Sequence, residues 1–189
     1  RAKLNLVSQG VAPVSVSVTG NTVIDALRFV KEKLESWQHR EEIEKKLSLE
    51  VEEGCKIVLV TGHRRENFGK GFENICLALK KIASIKNVKV IYPVHLNPSV
   101  RRPVERYLST DPNIILIDPL DYEAFTYLMM QAFIILTDSG GIQEEAPFLG
   151  KPVLLMRDNT ERPEAIESGC VKMVGTESEK IVNGVVELL

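Results

Sequence analysis

Apolar and polar positions change character along the chain near residue 55. Before it, apolar residues are sparse. Val14, Val16 and Val18 alternate with Ser15 and Ser17, a period of two that predicts a strand over Val14–Val18. Thr19-Gly20-Asn21 breaks it, and Asn21 is placed to cap a helix. Val23, Ile24, Leu27, Val30 and Leu34 then recur at helical spacing, predicting an amphipathic helix over residues of about 22 to 36. Gln38 to Glu53 is charged, with Ile43, Leu47, Leu49 and Val51 as its large apolar points, and predicts a solvated helix or connector. Ala2 to Gln9 carries little periodicity. The segment before Cys55 thus leads into a domain.

From Lys56 the pattern becomes short, wholly apolar runs separated by helical ones. Ile57–Val60, Val88–Val94, Ile114–Ile117, Phe133–Leu136, Pro152–Met156 and Val171–Val174 predict six strands. Phe72, Ile75, Cys76, Leu79, Ile82 and Ala83 mark one face of a helix after the first. Asn97-Pro98 predicts a helix start, with Asn97 as cap and Pro98 at the first helical position. Asp121 can cap the next helix, with Leu120 and Phe125 spaced as a hydrophobic staple. A helix closed by Gly150, a short one over Glu164–Ser168 closed by Gly169, and another from Ser178 complete the set. Pro147 conflicts with its helix, which should kink or restart there.

Apolar strands without alternation are buried on both faces, as in a parallel sheet covered by helices. Strand–helix alternation therefore predicts an α/β fold with a doubly wound parallel sheet. Ligands in such sheets bind outside the carboxyl ends of the strands. There the chain places Thr137-Asp138-Ser139-Gly140-Gly141-Ile142-Gln143-Glu144-Glu145, a strand-to-helix turn with two adjacent glycines. Unpaired N–H groups and the helix dipole suit such a start to a phosphate. Ser139 as a plain N-cap in a tight turn explains the same residues.

Composition narrows the partners. The chain has 189 residues, 44% of them hydrophobic, a net charge of -2 and a pI near 6.0. That balance argues against a general nucleic-acid binder. No apolar run approaches the roughly 20 residues of a membrane helix, and no signal peptide opens the chain. Cys55, Cys76 and Cys170 are scattered, form no metal spacing and suit a reduced, cytoplasmic setting. The first residue is not Met, and both ends look like mid-structure, so a fragment of a longer protein is expected.

Against the acidic background, one edge collects basic residues. His63, Arg64 and Arg65 follow the first strand, His95 the second, and Arg157 and Arg162 the fifth. Each has a bland explanation: a structural histidine, Arg64 or Arg65 paired with Glu66, Arg162 paired with Glu161 or Glu164. Together with the glycine turn they favour a locally positive edge that takes a phosphorylated ligand. Glu145 lies one turn into the helix and can accept from a ribose diol. Glu144 points about 100° away and is expected at the surface. There is no GxGxxG, no GxxxxGK[ST] and no GxSxG elbow, so NAD-type, P-loop and serine-hydrolase chemistry are unsupported.

Thr61-Gly62-His63-Arg64-Arg65-Glu66-Asn67, Tyr92-Pro93-Val94-His95-Leu96-Asn97-Pro98, Asp138-Ser139-Gly140-Gly141-Ile142-Gln143-Glu144-Glu145-Ala146-Pro147 and Thr160-Glu161-Arg162-Pro163-Glu164 resemble the non-hydrolysing UDP-N-acetylglucosamine 2-epimerases. Thr19-Gly20-Asn21-Thr22-Val23-Ile24-Asp25-Ala26-Leu27 matches that family's interdomain crossing. The resemblance implies a GT-B-like fold of two Rossmann-like domains. Residues 1–54 would be the end of the N-terminal domain with the connector, and residues 55–189 the C-terminal UDP-binding domain. The N-terminal domain and the final helix would lie outside this chain.

The implied reaction interconverts UDP-GlcNAc and UDP-ManNAc by elimination and re-addition of UDP through 2-acetamidoglucal, with no metal or nicotinamide cofactor. By position, His63 would assist catalysis at the departing diphosphate. Ser139, Gly140 and Gly141 would hold phosphate oxygens, Glu145 the ribose, Arg162 the diphosphate, and the backbone near Phe125 the uracil. Arg64 or Arg65, with His95, would belong to a regulatory UDP-GlcNAc site. The acid/base carboxylates would come from the N-terminal domain, and the full protein would be a cytoplasmic homodimer that binds neither nucleic acid nor membrane. A GT-B glycosyltransferase, a non-catalytic nucleotide-sugar binding module and a hydrolysing epimerase are the competing readings.

Overall fold

The computed structural model describes residues 2–189. Six strands form one sheet: β1 (Lys56–Thr61), β2 (Val88–Pro93), β3 (Ile114–Ile117), β4 (Ile134–Thr137), β5 (Val153–Leu155) and β6 (Val171–Met173). Their order is β3-β2-β1-β4-β5-β6, and every pairing is parallel. The fold is Rossmann-like and α/β, as the pattern predicted. The chain winds outward from β1 to β3, then crosses back to β4 on the other side of β1. The strand order therefore reverses between β1 and β4, where ligands of such sheets bind.

The helices are α1 (Ala2–Ser8), α2 (Thr22–Glu35), α3 (Trp37–Leu47), α4 (Lys70–Ala83), α5 (Pro98–Leu108), α6 (Tyr122–Gln131), α7 (Ile142–Phe148), α8 (Pro163–Glu167) and α9 (Ser178–Leu188). Strand residues alternate between two cores. Val58, Val60, Val90, Tyr92, Ile134 and Leu136 face a cluster built from α4, α5 and α9. Leu59, Ile91, Ile135, Val153 and Leu155 face one built from α6 and α7, with Leu27 of α2. Each such fully buried aliphatic side chain stabilises the fold by about 1.5–3 kcal/mol. All six apolar positions read on α4 are buried.

The caps form as the side chains dictate. Asn21 accepts from Val23 N, Asn97 from Ser99 N and Asp121 from Ala124 N. Gly150 and Gly169 sit at φ of 70° and 76°, the left-handed region that ends a helix.

Two expectations need correction, and one helix lies where no pattern was read. Val14–Val18 is no strand. Pro13–Ser15 is a single 3-10 turn, and Val14 and Val18 are 92% and 77% exposed. The alternation has no sheet edge beside it and buries neither face, so nothing rewards extension. Residues 2–8, which lack periodicity, are helical as α1, with no buried residue. Pro147 does not restart its helix; α7 runs through it and ends one residue later, in the last turn.

Candidate functional site

The site lies over the gap where the strand order reverses. The C-terminal ends of β1 and β4 are tied by Thr61 and Thr137, whose hydroxyl oxygens are 2.6 Å apart. Thr137 Oγ1 also accepts from Ser139 N at 2.9 Å, which sets the start of the glycine turn. Asp138 follows, with no exposed surface. Its carboxylate accepts from His63 N at 2.9 Å, Arg64 N at 2.8 Å and Asn67 Nδ2 at 3.2 Å. A buried carboxylate is tolerated only when donors surround it, and here they shape the loop after β1. His63 Nδ1 lies 3.5 Å from Asp138 Oδ1, and its side chain is 41% exposed.

Some of the expected residues line two spaces. His63, His95, Leu120, Phe125, Ser139 and Ile142 line a cavity of about 240 Å³. The two histidine rings stack with centroids 5.6 Å apart. His95 Nδ1 accepts from Asn97 N at 3.1 Å, which leaves Nε2 as the proton-bearing nitrogen of the neutral ring. Phe125 N donates to Asp121 O within α6, so what this segment offers a flat ring is the Pro119–Leu120 chain and the Phe125 side chain. Asn21, Glu144, Glu161 and Arg162 line the second, a groove of about 580 Å³.

Ser139 is not the N-cap. That position is Gly141, which offers no side chain to the helix, and α7 begins at Ile142. The Ser139 hydroxyl has no hydrogen-bond partner among the described residues. The glycines serve close approach and not a positive φ. A Cβ on Gly140 would run into Glu161 Oε1, with Arg64 Nη2 at 3.4 Å; one on Gly141 would stand 3.4 Å from Glu145 Oε2. A carboxylate thus occupies the space over Gly140 in which an anion would sit.

That carboxylate overturns one expectation. The basic edge is not an open positive patch, because three of its four arginines, Arg64, Arg157 and Arg162, have acidic partners. Arg157 bonds Glu66 and Glu161, each at 2.6 Å, and Arg64 reaches Glu161 at 3.4 Å. Burial acts to raise the Glu161 carboxyl, but its own N–H, Arg157 and Arg64 outweigh it and hold it below the usual range. Arg162 pairs with Glu144 at 2.7 Å instead of with its sequence neighbours. Glu144 is therefore not a free surface residue. Its other oxygen accepts from Asn21 Nδ2 at 2.7 Å, linking the cap of α2 to the groove. Arg65 is exposed and lines neither space.

Glu145 is buried, 6% exposed, and accepts from the Tyr122 hydroxyl at 2.8 Å. Gln143 ties the Thr160–Arg162 loop to the turn: it accepts from Thr160 Oγ1 at 2.6 Å and donates to Ser139 O at 3.2 Å. Sequence reasoning missed Asp138, Tyr122, Glu161 and Gln143 as parts of the site. For Asp138 a signal existed, an acid set directly after an apolar strand; Tyr122 and Glu161 carry none, since their partners are distant. Among the described residues no group of three or more His, Cys, Asp or Glu side chains is arranged to hold a metal ion. No helix among them is long and apolar enough to cross a membrane.

A family model described as UDP-N-acetylglucosamine 2-epimerase matches residues 1–189. The chain is 52% identical over 190 residues to the UDP-N-acetylglucosamine 2-epimerase of Escherichia coli strain K12, covering all of this chain and 50% of that protein. The crystal structure of UDP-GlcNAc 2-epimerase from Neisseria meningitidis bound to UDP-GlcNAc superposes with a TM-score of 0.94 at 46% identity, covering 98% of this chain and 50% of that one. The Methanocaldococcus jannaschii UDP-GlcNAc 2-epimerase in complex with UDP-GlcNAc and UDP gives 0.82 at 32% identity, covering 100% and 52%. The chain spans about half the length of the curated relatives it matches.

Proposed function

The chain belongs to the UDP-N-acetylglucosamine 2-epimerase family, and on that premise we propose that it is the UDP-binding half of such an enzyme. Residues 55–189 are the nucleotide-binding domain, and residues 1–54 carry the connector to a second Rossmann-like domain. The full protein is then a cytoplasmic, GT-B-like homodimer that interconverts UDP-GlcNAc and UDP-ManNAc. The observation that carries the reading is one juxtaposition. A turn stripped of side chains at Gly140 and Gly141, a cavity lined by Ser139 and Phe125, and a buried carboxylate, Glu145, beside Gly141 gather where a phosphate, a base and the ribose between them can be met.

In this reading the diphosphate lies over Gly140–Gly141 and takes the N–H groups of the turn and the Ser139 hydroxyl. It displaces Glu161 and accepts from Arg64 and Arg162. The uracil enters the cavity at Phe125, and the ribose hydroxyls meet Glu145. His63 faces the bond that breaks. In the elimination a base takes the C2 proton while the C1–O bond to UDP opens, leaving 2-acetamidoglucal and UDP. Reprotonation of C2 from the other face and return of the UDP oxygen to C1 complete the exchange. His63, held by Asp138, neutralises charge gathering on the departing diphosphate. Arg64 or Arg65 with His95 is left for a regulatory UDP-GlcNAc.

The carboxylates lining this groove and nearest the turn, Glu144 and Glu161, are committed to arginines and make poor bases toward C2. The acid/base pair therefore comes from the second domain, and this chain alone binds UDP without turning over the sugar. Titration with UDP followed by amide NMR is expected to shift Ser139–Glu145 and His63, with no UDP-ManNAc formed from UDP-GlcNAc. A spectrum indifferent to millimolar UDP would sink the assignment of the site, and turnover by the chain alone would sink the division of labour.

A further inference from the structure

Glu145 is the fourth residue of α7, and its two oxygens have different lots. Oε1 accepts the Tyr122 hydroxyl hydrogen at 2.8 Å. Oε2 has no hydrogen-bond partner among the described residues, and it lies over Gly141, 3.4 Å from where a Cβ would stand. A carboxylate is an acceptor only, with about four lone-pair sites. Oε2 is not one of the buried polar atoms left without a partner among the described residues, so it keeps access to solvent and is open to donors from a ligand.

Tyr122 is the first residue of α6, directly after the cap Asp121. Asp121 Oδ1 holds Ala124 N at 2.9 Å, and its other oxygen is paired with Lys46. The end of α6 that carries the phenol is thus fixed from both sides. The phenol spans from α6 to α7 and reaches only one oxygen. It sets the rotation of the carboxylate, so that Oε2 faces the glycine turn. We propose that Tyr122 is a positioning and specificity residue: it turns Oε2 of Glu145 over Gly141 to accept from the vicinal hydroxyls of a ribose, selecting a ribonucleoside diphosphate over its 2′-deoxy form. The inference rests on the UDP-binding reading above.

Desolvation and the neighbouring Glu145 push the phenol out of the working range of pH, so it stays a donor and cannot compete with the ribose as an acceptor. A tie that only joins α6 to α7 gives a different expectation. Its loss would weaken every ligand of the site alike, because no ligand group depends on where Oε2 points.

The test measures dissociation constants of UDP and 2′-deoxy-UDP for the chain and for its Tyr122→Phe and Glu145→Gln variants, by ligand-observed NMR. The wild-type chain should prefer UDP by roughly tenfold or more, the scale of a hydrogen bond to a charged acceptor. Tyr122→Phe should weaken UDP by about three- to tenfold and 2′-deoxy-UDP by less, since the deoxy ligand keeps only the 3′-hydroxyl to meet Oε2. Glu145→Gln should collapse the same ratio, and the double variant should lose little more than either single one. An undiminished UDP to 2′-deoxy-UDP ratio in Tyr122→Phe, or an equal loss for both ligands, overturns the role of Tyr122. A wild-type chain that binds neither nucleotide overturns the UDP-binding reading itself, and this inference with it.

Discussion

Asp138 serves three N–H donors from a position without solvent, and two of them are main-chain groups of the loop that carries His63. Asp138→Asn keeps the shape but turns an NH2 toward donors. The substitution should destabilise the chain by about 2–4 kcal/mol, the range for a buried charge-assisted acceptor whose donors stay behind. Urea unfolding should show a lower midpoint at unchanged slope; a change within about 0.5 kcal/mol would mean that the loop holds itself. This residue also marks where the sequence stops being legible. Glycines, histidines and Glu145 announced themselves by type and place. The roles of Asp138, Tyr122 and Glu161 depend on partners 75, 23 and 97 residues away, at His63, Glu145 and Arg64. No local pattern encodes such pairs; only folding brings them together.

Elements were legible wherever burial enforces a period. All six strands and the capped helices α2, α5 and α6 fall within a residue or two of where apolar spacing and cap residues put them. The expected strand at Val14–Val18, which fails, and α1, for which no pattern was read, bury nothing, so hydrophobic periodicity had no force there. The lead-in helices are held by a small cluster, Val30, Leu34, Ile43 and Ala124, and by ion pairs onto the start of α6. Lys33 and His39 face Glu123, and Lys46 faces Asp121. The Lys46 hydrogen bond holds the Asp121 carboxyl below its ordinary range, and the Lys33 bond does the same for Glu123. Groups whose folded pKa is depressed contribute stability above their unfolded value, about 4, and lose it as pH falls through the folded one. Acid should therefore release α3 first. Hydrogen-exchange protection of Trp37–Leu47 is expected to fall between about pH 4 and pH 2 while β1 and β4 stay protected. Simultaneous loss in all three would show that the lead-in and the sheet are one cooperative unit.

On the scale of the whole molecule, the net charge of -2 conceals how the carboxyl edge of the sheet is balanced. Arg64, Arg157 and Arg162 are each matched by Glu66, Glu144 or Glu161, so most of the positive charge of the edge is already paired. Glu161 holds the pivotal place. It bridges Arg64 and Arg157, and its Oε1 lies where a Gly140 side chain would be, in the volume the proposed binding mode gives to a phosphate oxygen. On the proposed binding mode an incoming diphosphate must both displace this carboxylate and bear its repulsion. Glu161→Gln removes the charge and keeps the shape, while Arg157 retains Glu66. Affinity for UDP should rise by roughly three- to tenfold at low ionic strength, because one like charge close to the ligand is gone. The gain should shrink at about 1 M salt, where the screening length falls to about 3 Å. Calorimetric titration at the two salt concentrations checks both parts. An unchanged or weaker affinity at low salt would mean that Glu161 holds the arginines in their binding geometry and does not stand in the place of the ligand.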